Sequence, residues 1–140
     1  MTEKLDLEKY ASPLAERCIG MGCGAVLLKC GVSGMYYKTS GMGRILRIGK
    51  SLGLDTDLWA DKKGIQPCFE AEIVRSASGS GDVSIAAYLT AMLAGKSPAR
   101  CAELAAAEGA ASVTSYDALG GILSLDELTR QIDAGWKTKE

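Results

Sequence analysis

Apolar and polar positions along this chain switch between two periods. Over 7–19, Leu7, Tyr10, Ala11, Leu14 and Cys18 recur at spacings of three and four, which predicts a helix. Pro13 falls inside that run. Either Ser12-Pro13 opens a second helical segment as N-cap and first residue, or the helix kinks there. Gly20, Gly22 and Gly24 end it. Ala25-Val26-Leu27-Leu28 is an unbroken apolar run, as expected of a strand buried on both faces. Lys29 to Gly34 reads as a turn and Met35 to Lys38 as a returning strand, so a hairpin is expected. Thr39 to Gly43 is a second turn, and Arg44 to Ile48 a short exposed strand. Residues 49–64 carry little pattern and are read as a loop with one short helix. Ile65 to Val74 alternates at Phe69, Ala71 and Ile73, predicting a half-buried strand whose start Pro67 pushes to an edge.

Behind Ser76 to Asp82, the residues Ile85, Leu89, Met92 and Leu93 recur at i, i+4, i+7 and i+8. They mark the apolar face of an amphipathic helix that Gly95 closes. Ser97-Pro98 opens an Ala-rich helix that runs to about Val113. Ser124 to Glu127 is a capping box for a last helix through Leu128 and Ile132, stopped by Gly135. The tail from Trp136 to Glu140 is polar and expected to fray. A helix feeding a buried strand points to α/β layers. No repeat, linker or low-complexity block divides residues 1–140, so one domain is expected.

Composition narrows the function classes. Of 140 residues 47% are apolar, enough for one core, and 16 basic against 17 acidic residues leave a net charge of −1. That balance argues against a dedicated nucleic-acid binder, which needs a basic excess to neutralise phosphates. The chain has neither His nor Asn. Without His there is no Ser-His-Asp triad, Cys-His dyad or imidazole zinc site, so acid–base chemistry near neutrality falls to carboxylates, Lys, Tyr or Cys. The five cysteines, at 18, 23, 30, 68 and 101, are odd in number and form no CxxC. Most of them are read as small buried fillers in a reducing, cytoplasmic protein rather than a disulfide or zinc framework. No stretch approaches the roughly 18 apolar residues of a membrane span, and the polar N-terminus does not suit a signal peptide.

The glycine-rich stretch Ser78-Gly79-Ser80-Gly81-Asp82 lies between a predicted strand and a predicted helix. A first helical turn leaves its amides unpaired, the macrodipole adds partial positive charge, and glycines let a phosphate approach the backbone. The stretch matches neither a Walker A loop nor a GxGxxG fingerprint. Asp82 has two open readings: a charge that favours a helix start, or an acid placed to accept a proton from an attacking hydroxyl.

Four stretches together resemble the ribokinase, or PfkB, carbohydrate kinase family. Ser78 to Asp82 with the Ala-rich helix behind it is similar to the family's Thr-Gly-Ala-Gly-Asp motif. Lys29-Cys30-Gly31-Val32-Ser33-Gly34 resembles its Lys/Thr-x-Gly-x-x-Gly turn. Leu104 to Val113 resembles its helix beside the adenine. Asp117-Ala118 with Gly120-Gly121-Ile122 resembles the tail of some of its sugar kinases. The likeness covers residues 10 to 134 and only the C-terminal half of the family.

The resemblance implies a ribokinase-like α/β fold, its C-terminal portion, with helices packed on a mixed β-sheet. The N-terminal sugar-binding half and the lid are missing. It implies Asp82 as the base and the backbone of Gly79, Ser80 and Gly81 as the anion hole. Contacts to the ATP phosphates and ribose would come from Lys29, Gly31, Ser33 and Gly34, with Ser78 at the Gly-rich turn. The adenine pocket would be lined by Ala106, Gly109 and Ala110. ATP is the implied cofactor, and Mg²⁺ an implied ion. The family's Asn-x-x-Glu magnesium motif cannot occur in a chain without Asn, so no metal ligand is assigned. Ser76 stands where many members hold a monovalent cation with Asp, and Ala106 where Asn is common, which puts cation activation and purine contacts in doubt.

Three functional readings follow. The chain is the ATP-binding, catalytic-base portion of a sugar kinase, inactive by itself; or a nucleotide-binding module without turnover; or a structural or assembly domain. A sugar substrate would be reached through the missing half. Apolar surface left open by that half predicts self-association as a homodimer or larger assembly, with no nucleic acid and no membrane as partner.

Overall fold

The structure, a computed structural model, describes residues 4–139. Helix α1 (Leu7–Gly20) starts at Asp6, whose carboxylate accepts from the Lys9 amide at 3.1 Å. It continues unbroken through Pro13, and Ser12 is not a cap: its hydroxyl accepts from Tyr36 Oη at 3.2 Å. Strands β1 (Ala25–Lys29) and β2 (Met35–Thr39) form the expected hairpin around a single 3₁₀ turn. A third strand, β3 (Lys63–Gln66), pairs with β2, giving the order β1-β2-β3. Both pairings are antiparallel, so the expected mixed sheet is antiparallel here. Strand β1 lies at the edge, with Ala25 and Lys29 exposed and only Val26 buried.

Alternation along β2 sorts the layers. Val26 and Tyr36 face α1, packing with Leu7, Ala11 and Ala15. Leu27, Met35 and Tyr37 face the opposite layer. That layer is built from α4 (Ser80–Leu93) and α5 (Pro98–Ser112), the most extensive helix pair of the molecule. Helix α5 is buried along nearly its whole length, and its alanines let neighbours come close. Its start follows from Ser97, which accepts from the Arg100 amide at 3.2 Å, with Pro98 at the first position. Helix α6 (Leu125–Asp133) begins with the expected capping box and inserts Leu128, fully buried, into the core.

Five further expectations need correction. Arg44 to Ile48 lies inside a helix, α2 (Met42–Leu52), not a strand; Ile45 and Gly49, one turn apart, form its buried side. A short helix α3 (Thr56–Trp59) follows, as expected for that region, and buries Trp59 edge-to-face against Tyr88. The strand read over Ile65 to Val74 stops at Gln66, since Pro67 has no amide to donate; Ile73 and Val74 are exposed. The C-terminal tail does not fray through 139. Trp136 packs on Phe69 and donates to the Glu70 carbonyl at 2.7 Å, and the Lys139 amide reaches Cys68 at 2.7 Å. Finally, α4 turns its small residues inward. Val83, Ser84, Ala87, Tyr88 and Ala91 are buried, while Ile85, Leu89 and Leu93 are 43%, 47% and 64% exposed. Of the cysteines only Cys101 is a buried filler, its thiol pushed up to about 12 by desolvation; Cys23 is exposed and the other three are half-buried.

Candidate functional site

The glycine-rich turn is held from below before it enters α4. The Arg75 and Ser76 amides both donate to the Val113 carbonyl, at 2.8 and 3.3 Å, tying the turn to the end of α5. Ser76 Oγ accepts from the Ser78 amide at 3.2 Å, and Ser80 Oγ donates to the Ala77 carbonyl at 2.9 Å. Gly79 caps α4 with a left-handed φ of 79°. A Cβ there would come within 2.7 Å of the Ala118 Cβ, so the turn rests directly on the Asp117-Ala118 segment. Asp117 fixes that segment by accepting from the Leu119 and Gly120 amides, which holds its carboxyl below the usual range.

The amides of Asp82 and Val83 donate back to the Gly79 carbonyl at 3.0 Å, and that of Ser80 makes a longer 3.3 Å bond to Ala77. Among the described residues the Gly79 and Gly81 amides have no acceptor. Into this helix start reaches Lys29, from the end of β1, whose ammonium donates to the Gly81 carbonyl at 2.7 Å. Among the described residues no carboxylate pairs with Lys29. An unneutralised ammonium beside free helical amides makes a concave, positive corner suited to anionic oxygens.

That corner opens on a cleft of about 430 Å³, within the usual size of small-molecule sites. Lys29, Gly31 and Gly34 line one side, Ser80 and Gly81 another, and Ala106, Gly109 and Ala110 of α5 a third. Three stretches far apart in sequence thus meet around one space. Ser33 does not join them. It is buried and its hydroxyl accepts from the Leu5 amide at 2.7 Å, securing the segment before α1. Ser78, Gly79 and Asp82 border the turn without lining the cleft. Asp82 sits exposed in the first turn of α4, and among the described residues its carboxylate has no hydrogen-bond or ion-pair partner.

The cleft also has walls that the pattern of the chain did not announce: Cys68, Phe69 and Lys139. Cys68 donates to the Gly31 carbonyl at 3.1 Å, and Lys139 arrives with the ordered tail. The signal for that order was Trp136, an aromatic in an otherwise polar segment. Gly109 is set by space. A Cβ on it would meet Ser84 Oγ at 2.6 Å, so its lack of a side chain lets α4 and α5 approach. Val74, Ala106, Ala110 and Val113 add apolar, small walls to the same cleft, suiting a flat ring. Among the described residues no group of three or more His, Cys, Asp or Glu is gathered for a metal ion, and no helix is long and apolar enough to cross a membrane.

Comparison with known proteins gives one family match. The family described as pfkB family carbohydrate kinase matches residues 5–123. No curated protein matches. Among solved structures, an Arabidopsis thaliana ribokinase complexed with ribose and ATP is similar at 24% identity and a TM-score of 0.67, over 87% of this chain and 33% of that one. A Thermotoga maritima ribokinase is similar at 20% identity and TM-score 0.65, over 91% and 38%. A Methanocaldococcus jannaschii nucleoside kinase, an archaeal member of the ribokinase family, is similar at 21% identity and TM-score 0.61, over 79% and 30%. The likeness to these structures is one of fold, and the chain spans about a third of their length.

Proposed function

The chain belongs to the pfkB family of carbohydrate kinases, and from that premise we propose that it is the ATP-binding, catalytic-base portion of a kinase acting on a sugar hydroxyl. The observation that carries this reading is the cleft: the Lys29 turn, the Gly-rich turn and the α5 alanines line one space, and Lys29 bonds Gly81 across it. In this reading Ala106, Gly109 and Ala110 flank the adenine, and Gly31 and Gly34 border the ribose and phosphates. Lys29 and the amides of Gly79 and Gly81 stabilise charge on the phosphoryl group in flight. Ser80 contributes its place in the turn more than its amide.

Asp82, free of partners at the helix start, takes the proton of the acceptor hydroxyl. The acceptor oxygen then bonds the γ-phosphorus as the bond to the β-bridging oxygen breaks, and ADP leaves. ATP fits the cleft by size and by charge, and Mg²⁺ accompanies it to neutralise the phosphates. The sugar is held by a part of the fold outside residues 1–140, a single domain in this reading, so transfer by this chain alone is not expected. The setting is cytoplasmic. The exposed Ile85, Leu89 and Leu93 stripe favours self-association of the chain.

Calorimetric titration of ATP with Mg²⁺ tests the reading. Saturable binding, lost or strongly weakened in Lys29→Ala and kept in Asp82→Asn, supports it. Absence of binding at millimolar ATP would leave a structural role instead.

A further inference from the structure

The C-terminal tail is stitched to one wall of the nucleotide cleft. Residues Trp136 to Lys139 run antiparallel to Cys68 to Glu70. Phe69 and Thr138 form the bridge. Two ladder bonds flank it: the Glu70 amide donates to the Lys137 carbonyl at 2.8 Å, and the Lys139 amide to the Cys68 carbonyl at 2.7 Å. Trp136 locks the near end. Its ring lies 5.1 Å from that of Phe69, and its indole donates to the Glu70 carbonyl at 2.7 Å. Ordering a chain end costs backbone entropy, and these contacts offset it.

The pairing sorts the two lysines of the tail by their place along it. Lys137 stands beside Glu70, which lines a different hollow with Thr114 and Gln131. Lys139 stands beside Cys68, and both line the nucleotide cleft. The Cys68 thiol donates to the Gly31 carbonyl at 3.1 Å, so Lys139 enters from the side of the Lys29–Gly34 turn. Lys29, at the head of that turn, is engaged elsewhere in the cleft, at the Gly81 carbonyl in the first turn of α4.

Charge gives this placement its meaning. Among the described residues the only charged side chains lining the cleft are Lys29 and Lys139, and no carboxylate lines it. The remaining walls are apolar, glycine, serine or cysteine. Two ammonium groups on separate elements, with nothing opposing them, suit a ligand whose negative charge is spread over several groups rather than held at one point.

We propose that Lys139 is a second phosphate-binding residue of the cleft. Its ammonium donates to the oxygens of the non-transferred phosphates of the nucleotide, while Lys29 and the start of α4 hold the transferred one. This rests on the nucleotide reading above, and it makes the ordered tail part of the site.

The test is calorimetric titration of the full 140-residue chain and its variants with ATP, ADP and adenosine. Lys139→Gln, a change at an exposed position, should weaken ATP and ADP by a similar factor, about three- to tenfold, and leave adenosine unchanged. Lys139→Arg should restore both to within about twofold, and added salt should narrow the gap between wild type and Lys139→Gln. Lys137→Gln is the control: it removes the same charge from the same tail outside the cleft and should cost less than about twofold. Wild-type affinity for ATP in Lys139→Gln, an equal loss in Lys137→Gln, or a loss that includes adenosine overturns this inference and leaves the nucleotide reading standing. A wild-type chain that binds none of the three overturns both.

Discussion

Replacing Gly109 by Ala sets two effects of opposite sign against each other. In the middle of an exposed helix the change would stabilise by about 1 kcal/mol, the ordinary difference between the two residues. At 109 the new Cβ meets Ser84 Oγ at 2.6 Å, well inside contact distance. Ser84 is buried, and its hydroxyl donates to the Ser80 carbonyl at 2.8 Å. Either the buried hydroxyl rotates and is left unpaired, costing about 1–3 kcal/mol, or α4 and α5 separate, an overpacking strain of about 1–3 kcal/mol. The clash therefore wins, and Gly109→Ala should destabilise by roughly 0.5–2 kcal/mol in urea unfolding monitored by tryptophan fluorescence. The control decides the cause. In a Ser84→Ala background the obstructing oxygen is gone, the Ser84 Cβ lies at an ordinary 4.0 Å, and Gly109→Ala should change sign and stabilise. A stabilised Gly109→Ala single variant, or no change of sign in the double variant, would refute the close α4–α5 contact on which the Gly-rich turn is seated.

Three further outcomes follow from the packing. Glu108 is buried on α5, and burial raises its carboxyl above its ordinary 4.5 although the Leu123 amide donates to it. The folded chain thus binds this proton more tightly than the unfolded one, and stability is lost as pH rises above that ordinary value. The advantage of Glu108→Gln in thermal unfolding should therefore grow from about pH 4 to about pH 7, and a constant or shrinking advantage contradicts it. Ser124→Ala removes the hydroxyl half of the α6 capping box, leaving the Glu127 carboxylate on the backbone amide of residue 124, and should cost about 1 kcal/mol, read as a lower urea midpoint; an unchanged midpoint counts against the cap. Leu89→Glu, at the centre of the exposed α4 stripe, should reduce self-association in sedimentation velocity at micromolar concentration. A wild-type chain that sediments as a monomer throughout would remove that proposal.

How much was legible in the chain differs by element. The hairpin, α1, α5 and α6 were readable because their signals are local: a turn between two apolar runs, Ser-Pro before alanines, and a Ser-x-x-Glu cap. Helix α2 was missed because its buried side is Ile45 with Gly49, and a glycine seated against Leu54 does not register as apolar. The helix at α4 was found with the wrong face. Hydrophobic patterning favours the large residues Ile85, Leu89 and Leu93, whereas the close helix pair selects small ones, Ser84, Ala87 and Ala91. The end of β3 and the ordered tail depend on each other, through Phe69 against Trp136 and the bridge from Phe69 to Thr138, a contact between residues almost seventy apart.

The candidate site was legible as three stretches by resemblance, and eight of the expected residues line one cleft. Its Cys68, Phe69 and Lys139 walls were not, since they come from the misread strand and tail. Ser33 was read as a ligand contact, but its hydroxyl serves the Leu5 amide.

The central claim is that the Lys29 turn, the Gly-rich turn and α5 form one nucleotide site. The direct measurement is an amide-resolved NMR titration of the chain with a non-hydrolysable ATP analogue and Mg²⁺. The account predicts saturable shifts at Lys29–Gly34, Gly79–Asp82 and Ala106–Ala110 together, abolished by Lys29→Ala. Saturable shifts only elsewhere, or at only one of the three stretches, would contradict it.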